Sequence, residues 1–314
     1  MHRTLSAAGA FWLAAFTYFI WGFTFLASRI AQDYGTPFVL LFWRFALAFA
    51  LLNLLRLTGR FPVRFRSRTL WPVLLAGLFE PVLYFPCEQY GLRLTSTSFS
   101  GVMVALIPLC SLVYGAIFLH EKATWRQVVF SVLSVAGVIV LAVYATGIGA
   151  GSFLGFLILL GTVFAGAGYM VACRACSGSF TAFERTYITC GMGAAAFGVL
   201  SVLEHRHDLS AVVLPMTHAP FALAIVFLSV VASVLSYLAL NRALEVLPVA
   251  RTAALINFST VVSVLAGVLL LHEPFGWVSA AASAAILVGI WGVQRFAAPA
   301  LPDADKRTEP LPPS

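Results

Sequence analysis

Charge is scarce in this chain. Of its 314 residues only 10% are Asp, Glu, Lys or Arg, while 61% are hydrophobic. A soluble domain carries about 25% charged residues, and a water-soluble fold of this length cannot hide so much apolar surface. The formal net charge is +7, but the arginines stand between the apolar runs. They make no basic face with interleaved aromatics, which excludes nucleic acid as a partner. Cysteine is sparse as well. Cys87, Cys110, Cys173, Cys176 and Cys190 all fall in or beside apolar runs, the pattern of reduced, packing thiols. Cys173-x-x-Cys176 has neither a second pair nor a nearby histidine, which argues against zinc. G-x-S-x-G, H-E-x-x-H and P-loop patterns are missing. The expectation is therefore a non-enzyme with no cofactor, no metal and no ATP site.

Long apolar runs are what the chain has instead. Ten can be marked, at about 11–31, 37–57, 71–92, 97–119, 125–145, 152–173, 182–204, 219–240, 248–271 and 276–296. Each approaches the ~20 residues a membrane-spanning helix needs. The first continues past Phe25 without a small-residue cleavage site, so it reads as a span and not as a removable signal. Pro37, Pro62, Gly147–Gly151, Pro215 and Pro274 mark the breaks. The expected fold class is an all-α membrane protein of ten transmembrane helices. Residues 1–10 read as a cytoplasmic N-terminus, 11–146 as a first five-helix unit, 147–151 as a linker and 152–296 as a second unit. Residues 297–314, rich in proline and charge, read as a disordered cytoplasmic tail.

The two units are copies. A shift of 152 positions lays His120-Glu121 on His272-Glu273, Trp125 on Trp277, Gly115 on Gly267 and Gly137 on Gly289. Between Ser111 and Gly137 there are eight identities without a gap, where composition alone gives roughly two or three. Lys and Arg give the copies a direction. With the N-terminus inside, fifteen positive residues fall on the inner side, among them Arg3, Arg56, Arg60, Arg64, Arg66, Arg68, Lys122 and Arg126. Only Arg29, Arg93 and Arg206 fall outside, and Arg44 lies within the second run. Both termini are then cytoplasmic. Five spans separate the copies, so the second is inverted relative to the first. The loop after His120-Glu121 carries Lys122 and Arg126, whereas its twin has Pro274 and Val278. Inverted repeats that rock about a central site are the construction of secondary transporters.

Specific residues carry a family resemblance. They are Trp21-Gly22, Phe25 and Arg29, then Pro37, Arg44, Tyr90-Gly91-Leu92 and Thr95, then Ala105-Leu106-Ile107-Pro108 and His120-Glu121. In the second half Ala239–Leu244, Pro248-Val249, His272-Glu273 and Gly289 follow. Over roughly residues 11–296 the chain resembles the EamA family of the drug/metabolite transporter superfamily. In the family pattern a lysine more often stands where Arg29 is, and a second proline often repeats Pro108 where this chain has Thr260. The resemblance implies ten helices around a central cavity and import or export of small metabolites across a bacterial inner membrane. It names no solute. Amino acids or related small organic solutes are the expected class. A polytopic enzyme or a sensor is the alternative.

Ionisable groups at membrane depth are costly and mark function by default. Arg44, Glu80 and Glu88 qualify. Glu80 falls near the middle of the third run, and Glu88 about 12 Å further out at 1.5 Å per residue. Tyr84 lies between them, and Pro81 and Pro86 should kink or open the helix. One reading gives Glu80 or Glu88 a proton or the cationic part of a solute, which makes proton coupling an option. The other makes them a structural pair with Arg44. Trp21, Tyr84, Tyr169, Tyr237, Asn241 and Asn257 supply candidate cavity walls with a few placed polar groups. Helix–helix contacts are the alternative for the asparagines, and packing or an interfacial belt for the aromatics. The His-Glu dipeptides sit on opposite sides and cannot share an ion, so they read as caps of adjacent spans. The lipid bilayer and a small solute are the expected partners. Ten spans can enclose a cavity within one chain, so the expected assembly is a monomer or a homodimer.

Overall fold

A computed structural model describes residues 6–59, 61–63, 70–118, 124–147, 152–176, 179–244 and 256–296. Among these residues all regular structure is helical. The helices are α1 Ala7–Gly22, α2 Thr24–Gln32, α3 Pro37–Leu57, α4 Trp71–Gly77, α5 Tyr84–Leu94, α6 Thr97–Val104, α7 Ile107–Phe118 and α8 Trp125–Gly147. The second half gives α9 Phe153–Cys176, α10 Ala182–Glu204, α11 Ser210–Val213, α12 Ala219–Val226, α13 Ser236–Leu244, α14 Ile256–Leu270 and α15 Trp277–Arg295. Except for α11, these helices overlap the apolar runs. Among the described residues four runs hold two helices each: α1 and α2 in the first, α4 and α5 in the third, α6 and α7 in the fourth, and α12 and α13 in the eighth. The His120-Glu121 loop, residues 245–255 and the tail from Ala297 lie outside the described residues. Among the described residues four helical stretches are long and apolar enough to cross a membrane: Ala8–Gln32, Pro37–Leu57, Ala182–Glu204 and Ala219–Leu240.

Local sequence sets the helix ends. Thr36 precedes α3 in extended conformation and Pro37 takes its first position, where a missing N–H costs nothing. Gly59, at φ 72°, closes the same helix. Thr181 and Glu184 form a capping box ahead of α10, and Thr124 with Gln127 do the same for α8, with bonds of 2.8 and 3.3 Å. The sequence gives no sign of α11, which lies in the loop after α10. Trp43 holds that loop by donating its indole N–H to the Val212 carbonyl at 2.8 Å.

The interior and exterior are reversed relative to a soluble protein. Trp12, Trp71, Trp125, Trp277 and Val143 face outward, Trp277 at 90% exposure. Arg44, Glu88, Gln89, Thr97, Ser98 and Ser233 are buried beside a core built on Leu40, Phe45, Leu159, Phe197, Ile225 and Ile286. Large contiguous apolar surface on the outside needs a nonpolar environment, and hydrocarbon provides it.

The packing is reciprocal between the halves. α8 lies along α15, α3 along α10 and α6 along α14, while α1 meets α13 and α14 as α9 meets α5 and α7. The closest crossing shows the relation atom by atom. A Cβ on Gly137 would stand 2.8 Å from the Ala282 carbonyl and 2.9 Å from Ile286. A Cβ on Gly289 would stand 2.7 Å from the Phe130 carbonyl and the same from Ser134 Cβ. Each of these residues is the other's counterpart under the 152-residue shift. Exchange of identical roles is the mark of a two-fold axis. The Ala165-Gly166-Ala167-Gly168 face works similarly: Gly166 gives way to Ile107 and Gly168 to the Phe79 ring.

Candidate substrate site

The third run is interrupted where its two carboxylates begin. Between α4 and α5 the turns widen over Leu78–Leu83, and Glu80 leaves helical geometry at φ −140°, ψ 111°. The break falls just before Pro81, as the sequence suggests. Pro86 lies in the first turn of α5, directly after the widened turns, and supplies no N–H to them. The eighth run widens in the corresponding place, over Phe227–Leu235, since Glu80 corresponds to Ala232 under the same shift. No proline marks it. Ser229 instead donates to the Ile225 carbonyl at 2.7 Å and Ser236 to the Val231 carbonyl at 2.8 Å. Serine hydroxyls that bond back to helix carbonyls loosen the regular ladder, and this run of serines in an apolar stretch is the signal that could have located the turn.

Side chains converge on these two interruptions. Trp21 donates its indole N–H to the Ala232 carbonyl at 2.9 Å, satisfying an acceptor in the widened turn. Its ring lies 5.4 Å from Tyr18 and 5.1 Å from Tyr237. The Tyr237 hydroxyl donates to Glu80. Trp21, Glu80, Tyr169 and Tyr237 are all partly accessible. They form an accessible aromatic layer with one carboxylate.

Arg44, Tyr84 and Glu88 form an enclosed layer beside it. Arg44 is 2% exposed and Glu88 5%. The guanidinium lies 4.4 Å from the centre of the Phe85 ring, a cation–π contact, and its Nε donates to Ser233 Oγ at 3.1 Å. Among the described residues its Nη1 has no hydrogen-bond partner, and no ion pair joins Arg44 to either carboxylate. Gln89 donates to Glu88 Oε2 at 2.9 Å and to Ser28 Oγ at 3.2 Å, and Gln32 donates to Gln89 at 2.9 Å. Sequence reasoning missed this amide chain and Ser233, although Gln89 beside Glu88 in an apolar run was a visible sign. The side chains of Asn241 and Asn257 lie outside the described residues.

Other polar clusters stay apart from this site. Arg206 donates to His207 at 3.0 Å, and His218 faces the Tyr34 ring at 5.1 Å. Asp208 accepts from the Ser210 hydroxyl at 2.5 Å and its N–H at 3.1 Å. Those bonds hold its carboxyl below the usual range. Among the described residues no group of three His, Cys, Asp or Glu could hold a metal. Cys87, Cys110 and Cys190 are free thiols.

Comparison with known proteins agrees with this architecture. The EamA-like transporter family model matches residues 8–143 and again 153–295. An uncharacterized transporter of Bacillus subtilis, YcxC, is 32% identical over 285 residues, covering 90% of this chain and 91% of its own. An uncharacterized transporter of Archaeoglobus fulgidus is 27% identical over 284 residues, covering 90% and 97%. A solved crystal structure superposes with a TM-score of 0.65 at 20% identity over 93% of this chain and 98% of that one, which is a likeness of fold.

Proposed function

Because the chain belongs to the EamA-like transporter family, we propose that it is a secondary transporter which carries small organic solutes, such as amino acids, across the plasma membrane by alternating access. The observation that carries this reading is the pair of interrupted helices, Leu78–Leu83 and Phe227–Leu235, at corresponding places in the two halves. Interrupted spans in matching positions of inverted repeats mark the solute site of such proteins, and irregular backbone at membrane depth is tolerated where it lines a cavity or is buried in protein. The reciprocal packing of α8 on α15 supports two halves that can exchange roles, and the arginine distribution supports ten spans with both termini cytoplasmic.

The charges suggest what binds. Arg44 supplies one positive charge and Glu80 and Glu88 two negative ones when ionised, an excess of one negative charge in an enclosed space. Such a site accepts one positive charge, either a proton or the ammonium of a solute, and competition between them couples the two fluxes. Trp21, Tyr169 and Tyr237 offer aromatic surface to the rest of the solute, and rings of this type also attract cations. One chain holds all of these groups, so a monomer suffices. Purified protein in liposomes, tested against amino acids, nucleobases and cationic drugs with and without a pH gradient, should show saturable, gradient-driven flux of at least one amine-bearing solute. Absence of saturable flux for every solute would overturn the proposal.

A further inference from the structure

The His272-Glu273 pair belongs to the internal repeat, yet solute binding does not explain it. α14 ends in a turn in which the N–H groups of Leu271 and Glu273 both donate to the Gly267 carbonyl, at 3.2 and 3.1 Å. His272 takes φ 53°, the left-handed conformation common just past a helix C-terminus. That turn sends the Glu273 side chain away from its own helix and onto α6. Oε1 accepts from the Thr97 N–H at 2.6 Å, and Oε2 accepts from the Ser98 N–H at 2.8 Å and the Ser98 hydroxyl at 2.7 Å. The two N–H groups belong to the first turn of α6, which lacks internal partners and carries the positive end of the helix dipole. Gly267 leaves room for the junction, because a Cβ there would strike both the Glu273 carboxylate and the Ser98 hydroxyl. The dipeptide therefore is a cap, but it caps a helix of the opposite half and not the next span in sequence.

We infer that Glu273 is a latch that joins the two halves on this face and must release before the site can open there. The inference rests on the alternating-access reading, in which the halves part on each face in turn. A carboxylate holding three hydrogen bonds across the halves biases the closed arrangement. A merely structural cap would keep its bonds through the whole cycle.

Two variants of the full-length protein test this in liposomes, with the five native cysteines replaced. In the first, Ser28→Cys reports access. Ser28 is 1% exposed and lies on α2 between Trp21 and this face. Adding Glu273→Gln should speed labelling of the Ser28→Cys thiol by an impermeant maleimide from the Glu273 face roughly tenfold, the consequence of weakening a charged hydrogen-bond acceptor. In the second, Ser98→Cys and Glu273→Cys are bridged by a short reducible dithiol reagent. Flux should stop on bridging and return on reduction. An unchanged labelling rate at position 28 when Glu273→Gln is added, or full flux in the bridged protein, would overturn the latch. Labelling needs no solute, so absence of transport for all solutes would count against the transport reading and leave the latch decided separately.

Discussion

Glu88 is the residue whose chemistry can be separated from its packing. It is enclosed, it accepts from Gln89, and among the described residues no ion pair joins it to Arg44. Gln keeps the shape and the hydrogen-bonding capacity but cannot titrate. Glu88→Gln should leave the protein folded and inserted, abolish flux driven by a pH gradient, and affect solute exchange at fixed pH less. Wild-type pH dependence in this variant would remove Glu88 from coupling. Arg44 poses the complementary question. Arg44→Met removes the buried cation beside two carboxylates and should cost on the order of 3 kcal/mol, the usual penalty of breaking a buried charge set, seen as a lower melting temperature in detergent. Adding Glu88→Gln should recover much of that loss; without recovery, the loss belongs to the contacts with Ser233 and Phe85. These three ionisable residues were legible in the sequence because charge in an apolar run has few innocent explanations. Gln89, Ser28 and Ser233 were not, because small and neutral polar side chains also serve as ordinary contacts between helices.

At the level of elements, the apolar helices were legible because length and hydropathy define them, and Pro81 announced the break in the third run. The widened turn of the eighth has no such signal. Periodicity averages over several turns and does not register one added residue, so the serine pattern at 229, 233 and 236 becomes informative only beside its hydrogen bonds. The glycines were visible as repeated letters, but their reason was not, since a close approach needs two partners and the sequence shows one. Gly137 and Gly289 each back onto a carbonyl of the facing helix, at 2.8 and 2.7 Å from an added Cβ. Ala at either position should push α8 and α15 apart and lower stability by about 2 kcal/mol, the scale of overpacking. The two losses should be similar, because the sites are equivalent. A large loss at one and none at the other in thermal melts would show that the two-fold relation does not hold at this crossing.

For the whole molecule, the duplication and its inversion are the premises on which the rest depends. The repeat itself needs only the sequence. Its partner surfaces do not follow from it, and the Glu273 cap on Thr97 and Ser98 joins residues 175 or more positions apart that no local pattern connects. Inversion makes a claim about the membrane that is independent of any solute. If, as proposed, five spans separate the copies, the loop at Lys122 and the loop at Phe275 lie on opposite sides, and the positive charge of the first against the neutral second predicts the cytoplasm for the first. Single cysteines introduced at Lys122 and at Phe275 should therefore react with an impermeant thiol reagent from opposite faces. In intact cells the Phe275 position should label, and the Lys122 position only after the membrane is opened. Labelling of both from one side would make the copies parallel. It would also remove the two-fold exchange of roles from the transport cycle, because parallel halves cannot present the same site to opposite faces by trading conformations.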